Sequence, residues 1–146
     1  MWKKELKDSQ GAMLDYTKII SLNIKICNIA YSYRGLLKEE LKDYKGAIED
    51  YSKAIELVPE SGFYYCKRGT AKNELRDKDG AHLDWKKAIE LLAKAIEINP
   101  KNAVDYVIRG DAKIKLGDKK GAYLDWKKAE ELGYKSAKYL IWQCAE

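Results

Sequence analysis

A recurrence of close to 34 residues constrains this chain more than any other feature. The segment DYKGAIEDYSKAIELVP, from Asp43 to Pro59, has counterparts beginning at Asp8, Asp77 and Asp118. Gly11, Gly46, Gly80 and Gly121 hold one position in it, at spacings of 35, 34 and 41 residues. A period near 34 with helical apolar spacing is the mark of stacked two-helix units, each too small to bury its own apolar face. A second recurrence precedes the first. Tyr31-x-x-Arg34-Gly35, Tyr65-x-x-Arg68-Gly69 and Tyr106-x-x-Arg109-Gly110 each end eleven residues before the marker glycine. Each unit therefore reads as a helix A carrying Tyr-x-x-Arg-Gly, a short polar turn, and a helix B carrying Gly-Ala-x-x-Asp-aromatic.

The small residues imply close helix contacts. A glycine inside a helix costs about 1 kcal/mol against alanine, so its repetition at Gly35, Gly69 and Gly110 implies a neighbour where a side chain would clash. Ala47, Ala81 and Ala122 on helix B are the expected counterparts. Tyr51, Trp85 and Trp126 are expected to fill the space between one hairpin and the next, with most of the tyrosines and tryptophans in the core. Arg34, Arg68 and Arg109 recur sixteen residues before Asp50, Asp84 and Asp125, which predicts a repeated ion pair between packed helices rather than a free basic ladder.

These residues resemble a tetratricopeptide repeat protein. The resemblance rests on Gly35, Ala47, Tyr51, Ala54 and Pro59, then on Gly69, Ala81, Trp85 and Ala88, then on Gly110, Ala122, Trp126 and Ala129. It implies an all-α, right-handed superhelical solenoid of antiparallel helix pairs, whose A helices line a concave groove that holds peptide segments of partners. The expected division is a partial first repeat at 1–27, repeats at 28–60, 61–100 and 101–135, and a capping helix at 136–146.

Three departures modify that plan. In the first unit Leu6 aligns with Leu41, so only the tail of a helix A precedes Gly11, and the junction near Asn23 to Asn28 is poorly marked. In the third, the doubled Ala88-Ile89-Glu90 and Ala95-Ile96-Glu97 account for seven additional residues with no breaker between them. One continuous helix B is predicted at about 78–98, roughly 10 Å longer than its equivalents. Its extra apolar stripe, Leu91, Leu92, Ala95 and Ile96, must be covered, either by the next unit or by a second copy in a homodimer. After the last unit, Gly133 stands at a helix C′ place, and Ser136 can cap a final helix with Ala137, Leu140, Ile141 and Cys144 on one face, closing the open end as solenoids require.

Composition narrows the function. The net charge of +5 is the remainder of 28 basic against 23 acidic residues, interleaved along the chain, which fits solvated helix faces better than a nucleic-acid patch. No apolar run suits a membrane span or a secretory leader, and three widely spaced cysteines suit reduced thiols, so the expected setting is cytoplasmic. His82, the single histidine, lacks metal-ligand company and is expected to be an ordinary surface or packing residue. Asp77-Lys-Asp79-Gly80 lacks the ligand series of a calcium loop. No catalytic residue, metal site or cofactor is expected.

Helix A positions two before, one after and four after the repeated glycine are the expected groove lining: Tyr33, Leu36 and Glu39; Lys67, Thr70 and Asn73; Ile108, Asp111 and Ile114. Chaperone-binding members of the resembled family clamp a terminal carboxylate with Asn and Lys at several of these places, whereas Tyr33, Leu36, Ile108 and Asp111 stand here and only Lys67 could serve. The expected function is a non-catalytic scaffold for a peptide or partner protein. The alternatives are a self-associating module joined through helix 78–98 and, more remotely, an RNA-binding repeat protein, whose binding would depend strongly on salt.

Overall fold

In a computed structural model the backbone is described for residues 2–22 and 27–143, and the side chains for 8–22 and 27–142. Eight helices follow in order: α1 (Trp2–Ser21), α2 (Cys27–Glu40), α3 (Tyr44–Leu57), α4 (Gly62–Glu74), α5 (Lys78–Ile98), α6 (Ala103–Lys115), α7 (Lys119–Glu131) and α8 (Ala137–Gln143). The pairs α2–α3, α4–α5 and α6–α7 form hairpins, and each hairpin packs on the next in sequence. Such nearest-neighbour stacking is what makes a solenoid. The described residues contain no strand.

The marker glycine is explained by the turn before it. At each hairpin turn one residue takes positive φ, Lys42 (60°), Arg76 (64°) or Gly117 (85°). An aspartate follows as N-cap, and Asp43, Asp77 and Asp118 accept from the amides of Gly46, Gly80 and Gly121 at 3.0, 3.0 and 2.8 Å. A Cβ on any of these glycines would collide with the capping carboxylate, and such a cap is worth about 1 kcal/mol. The Asp77–Gly80 run is therefore a helix start.

The glycines of helix A meet rings of the same hairpin rather than the alanines. A Cβ on Gly35 would lie 2.9 Å from Tyr51 Cε1, one on Gly69 2.9 Å from Trp85 Cδ1, and one on Gly110 2.5 Å from Trp126 Nε1. Each ring thus locks helix B onto its own helix A, and it also shares a core cluster with the following unit, Tyr51 with Ala71, Trp85 with Ala112 and Trp126 with Ala137, as the position between hairpins predicts. Ala47, Ala81 and Ala122 are fully buried, yet the nearest group to each glycine is the ring edge. A methyl group there would be overpacked by about 1–3 kcal/mol, more than the roughly 1 kcal/mol alanine returns in helix propensity. Glycine wins.

The aromatic expectation needs a correction. Tyr51, Tyr64, Trp85, Tyr106 and Trp126 are buried, but Tyr33, Tyr123, Tyr134, Tyr139 and Trp142 are exposed. Tyr134 lies in the turn between α7 and α8, Tyr33 stacks on Tyr16 of α1, and Tyr139 and Trp142 are exposed on α8.

Each repeated arginine chelates the aspartate sixteen residues on. Arg34, Arg68 and Arg109 reach Asp50, Asp84 and Asp125 with paired Nε and Nη2 bonds of 2.6–2.9 Å. A second cation completes each site: Lys38, Lys72 and Lys113 lie 3.0, 2.9 and 2.8 Å from the same carboxylates. Each guanidinium also covers the tyrosine three residues earlier, at 5.4–5.6 Å from the ring centroid, a favourable cation–π placement. Bonding to the aspartate raises the pKa of all three arginines against the opposing effect of burial. The pairs also tie units together, since Arg68 Nη1 donates to Ser52 Oγ on α3 at 3.1 Å and Arg34 Nη1 to Thr17 Oγ1 on α1 at 3.2 Å.

The long helix α5 changes the register of the stack. Counted from their aspartate caps, Lys78, His82 and Lys86 occupy the places of Tyr44, Ile48 and Ser52. Counted back from Pro100 and Pro59, those places fall to Trp85, Ile89 and Ala93. In the second unit Tyr44 and Ile48 pack beside Ala71 of the next helix A. In the third, the equivalent Ala112 packs with Trp85, Ile89 and Leu92. Helix α6 has therefore moved seven residues along α5. The added stripe is covered inside the chain: Leu91, Leu92 and Ile96 are at most 9% exposed and Ala95 is half-buried, with Leu92 against Gly62 and Ile96 beside Tyr106, Val107 and Trp126. The apolar surface that motivated a homodimer through this helix is not available to a second copy.

The first unit differs from its expected form. α1 runs unbroken through Asp8–Gly11, where a turn would separate the tail of a helix A from helix B. The poorly marked junction falls mainly on residues 23–26, outside the described residues, as is Cys144 of the final helix. At the other end Gly133 takes φ of 96° just past α7. α8 then lays fully buried Ala137, with Leu140 and Ile141, on the cluster around Trp126.

Candidate functional site

Sliding α6 along α5 sets it beside α4 over a cavity of ≈ 560 Å³ that gathers Lys67, Thr70, Ile108, Asp111 and Ile114. Apolar walls come from Phe63 on α4 and Val104 and Val107 on α6, and the far end is closed by Tyr134 and Leu140. These wall residues were missed by counting only three positions per helix A. Phe63 and Val104 sit one turn further towards the N-terminus, at the same helical spacing.

The other expected lining residues lie elsewhere. Tyr33 is half exposed and stacks on Tyr16, centroids 5.6 Å apart. Leu36 packs against the cluster around Ala47 and Tyr51. Asn73 lines a different crevice, beside His82 and Lys115. Glu39 is half-buried facing Tyr51, whose hydroxyl it approaches without a hydrogen bond of standard geometry.

Lys67 is the electrostatic centre of the site. Its Nζ lies over the Phe63 ring at 5.9 Å, and its charge acts on carboxylates on either side. Burial raises the Glu39 carboxyl above its ordinary value, while Lys67 and Tyr51 pull it back. Burial likewise raises Asp111, opposed by the Trp126 indole N–H and then by Lys67 and Lys115. Trp126 Nε1 donates to Asp111 Oδ1 at 3.1 Å and to the Val107 carbonyl at 3.3 Å. In the unit before, Thr70 stands where Asp111 does and its hydroxyl donates to Cys66 O at 3.1 Å, leaving Trp85 Nε1 without an acceptor among the described residues. Burial, with Asp111 second, pushes the Cys66 thiol up to about 12, so at neutral pH it is a protonated core group rather than a nucleophile. No group of metal-ligating side chains occurs among the described residues, and none of their helices is long and apolar enough to cross a membrane.

A helical-repeat stack with a lined groove defines the class of protein. The tetratricopeptide repeat profile matches residues 29–61, and helix hairpins like the one it spans recur along the chain. The Arabidopsis OM64 tetratricopeptide-repeat domain is similar at 28% identity over 80% of this chain and 93% of that one, with a TM-score of 0.53. The Sgt2 domain from Aspergillus fumigatus is similar at 23% identity over 81% and 76%, TM-score 0.57. The first such domain of Spaghetti (RPAP3), solved bound to the HSP90 peptide SRMEEVD, is 21% identical over 81% and 90%, TM-score 0.55. No curated protein sequence matches the chain significantly. Domains of this kind are generally non-catalytic interaction modules.

Proposed function

We propose that this protein is a non-catalytic, cytoplasmic scaffold that holds an extended peptide segment of a protein partner in the groove between α4 and α6. The observation that carries the reading is the grouping of Lys67, Thr70, Ile108, Asp111 and Ile114 around one apolar-walled cavity. Apolar side chains of the segment would enter between Phe63, Val104 and Ile108, supplying most of the affinity. Lys67 and Asp111, opposite in charge and both partly desolvated, would fix the direction and register of its polar groups.

Similarity to a domain bound to an HSP90 peptide supports a peptide ligand in general. The Asp111 carboxylate in its lining makes this groove a poor host for that peptide's acidic run. Peptides selected from a displayed random library on the wild-type protein test the reading. They are expected to lose at least tenfold in affinity for Lys67→Glu/Thr70→Trp, with melting unchanged. Selected peptides that bind both proteins equally would place recognition elsewhere.

A further inference from the structure

The seven-residue extension of α5 opens a second recess that the standard repeat does not have. Because α6 docks on the later part of α5, the earlier part, packed on α4 of its own hairpin, lacks the full cover of a following helix A. The places that Tyr44, Ile48 and Ser52 use to meet the next unit are held here by Lys78, His82 and Lys86. They border a crevice of ≈ 670 Å³ between the C-terminal ends of α4 and α6 and the first turns of α5, with Trp85 in its lining and Lys115 of α6 on its rim.

The chemistry of this crevice differs from that of the groove. Its lining holds three lysines, Lys78, Lys86 and Lys115, and one acidic residue, Asp79. Neither Lys78 nor Lys86 enters an ion pair among the described residues, whereas Lys38, Lys72 and Lys113 are spent on the buried aspartates. Leu83, 70% exposed, and the His82 ring, 6.3 Å from that of Trp85, give the recess an apolar and aromatic side. The space exceeds what one small anion fills, and mixed apolar and cationic walls suit a chain of side chains. We infer that the crevice is a second docking site, for a short acidic segment of a protein partner in which carboxylates flank an aliphatic side chain. Carboxylates pair with Lys78, Lys86 and Lys115, and the aliphatic group lies on Leu83 and the Trp85 edge.

His82 makes the test specific, because it is the single histidine and lies in this crevice rather than in the groove. Its imidazole proton resonances are followed while a labelled synthetic peptide, Gly-Glu-Glu-Leu-Glu-Glu-Gly, is titrated into the intact protein. A parallel titration uses the same peptide with glutamine for glutamate, and others use inorganic phosphate and a short single-stranded RNA. The expected result is saturable movement of the His82 signals with the acidic peptide. The glutamine peptide should cause none, and Lys78→Glu/Lys86→Glu should bind at least tenfold more weakly. Both lysines are outside the core, so that variant should keep its helix content and melting point. The inference is overturned if the His82 signals stay still, if glutamine serves as well as glutamate, or if phosphate or RNA binds more tightly than the peptide. Binding at Lys67→Glu/Thr70→Trp separates the two sites: it should leave the His82 response intact whatever becomes of the groove.

Discussion

At the scale of single residues, one geometry is used three times with different polar outcomes. Tyr51, Trp85 and Trp126 occupy equivalent seams, each against a glycine of its own hairpin. Only the last has a complete set of partners, because Asp111 stands where Thr70 and Leu36 stand in earlier units. Asp111 stabilises the indole but is itself half-buried, and burial holds its folded pKa above its ordinary value. The folded state therefore binds its proton more tightly than the unfolded chain does, and stability falls as pH rises from that ordinary value through the raised one. Asp111→Asn keeps an oxygen acceptor for Trp126 and removes the titration. Its urea midpoint relative to wild type is expected to improve between pH 4 and pH 7, and a difference independent of pH would show that burial does not control this carboxylate. The arginine–aspartate spacing was legible because both partners recur. The third member was equally present, as a lysine four residues after each arginine, a helical turn that puts both cations over one carboxylate.

At the scale of elements, the length of α5 decides what lies beside what. Its continuity follows from the sequence, since seven residues are close to two turns and preserve the apolar face. The destination of that face does not follow from it. An apolar stripe is equally well covered by the next repeat or by a second copy, and only packing showed that α6 moves to meet it. Deleting residues 88–94 leaves Lys87 joined to Ala95 and restores the spacing of the second unit. α6 would then return to the first register and press on Lys78, His82 and Lys86, which replace tyrosine, isoleucine and serine there. The deletion is expected to lower the urea midpoint and to withdraw His82 from solvent, read by its proton resonances. A variant as stable as wild type with an exposed His82 would contradict the register shift.

At the scale of the whole molecule, stability is a chain of neighbour contacts. α4 and α5 are flanked by hairpins on both sides, while α1 and α8 lie at the two ends of the stack. In such stacks opening begins at the ends. Amide exchange is expected to be slowest in α4 and α5 and fastest in α1 and α8, and a slowest-exchanging α7–α8 would deny that the terminal helix is a marginal cap.

The sequence by itself determined the helix count of each repeat, the close approach at the helix A glycines and the ion pairs, because these are contacts at short, fixed separation that recur with the unit. It also located the long helix and the closing one. Tertiary structure decided that a ring meets each helix A glycine, how far α6 slides along α5, and hence which lining residues meet. Lys67 and Asp111 share a cavity while Tyr33 and Asn73 are drawn elsewhere, because relative helix position is set by the sum of packing along the whole interface and no local pattern encodes that sum.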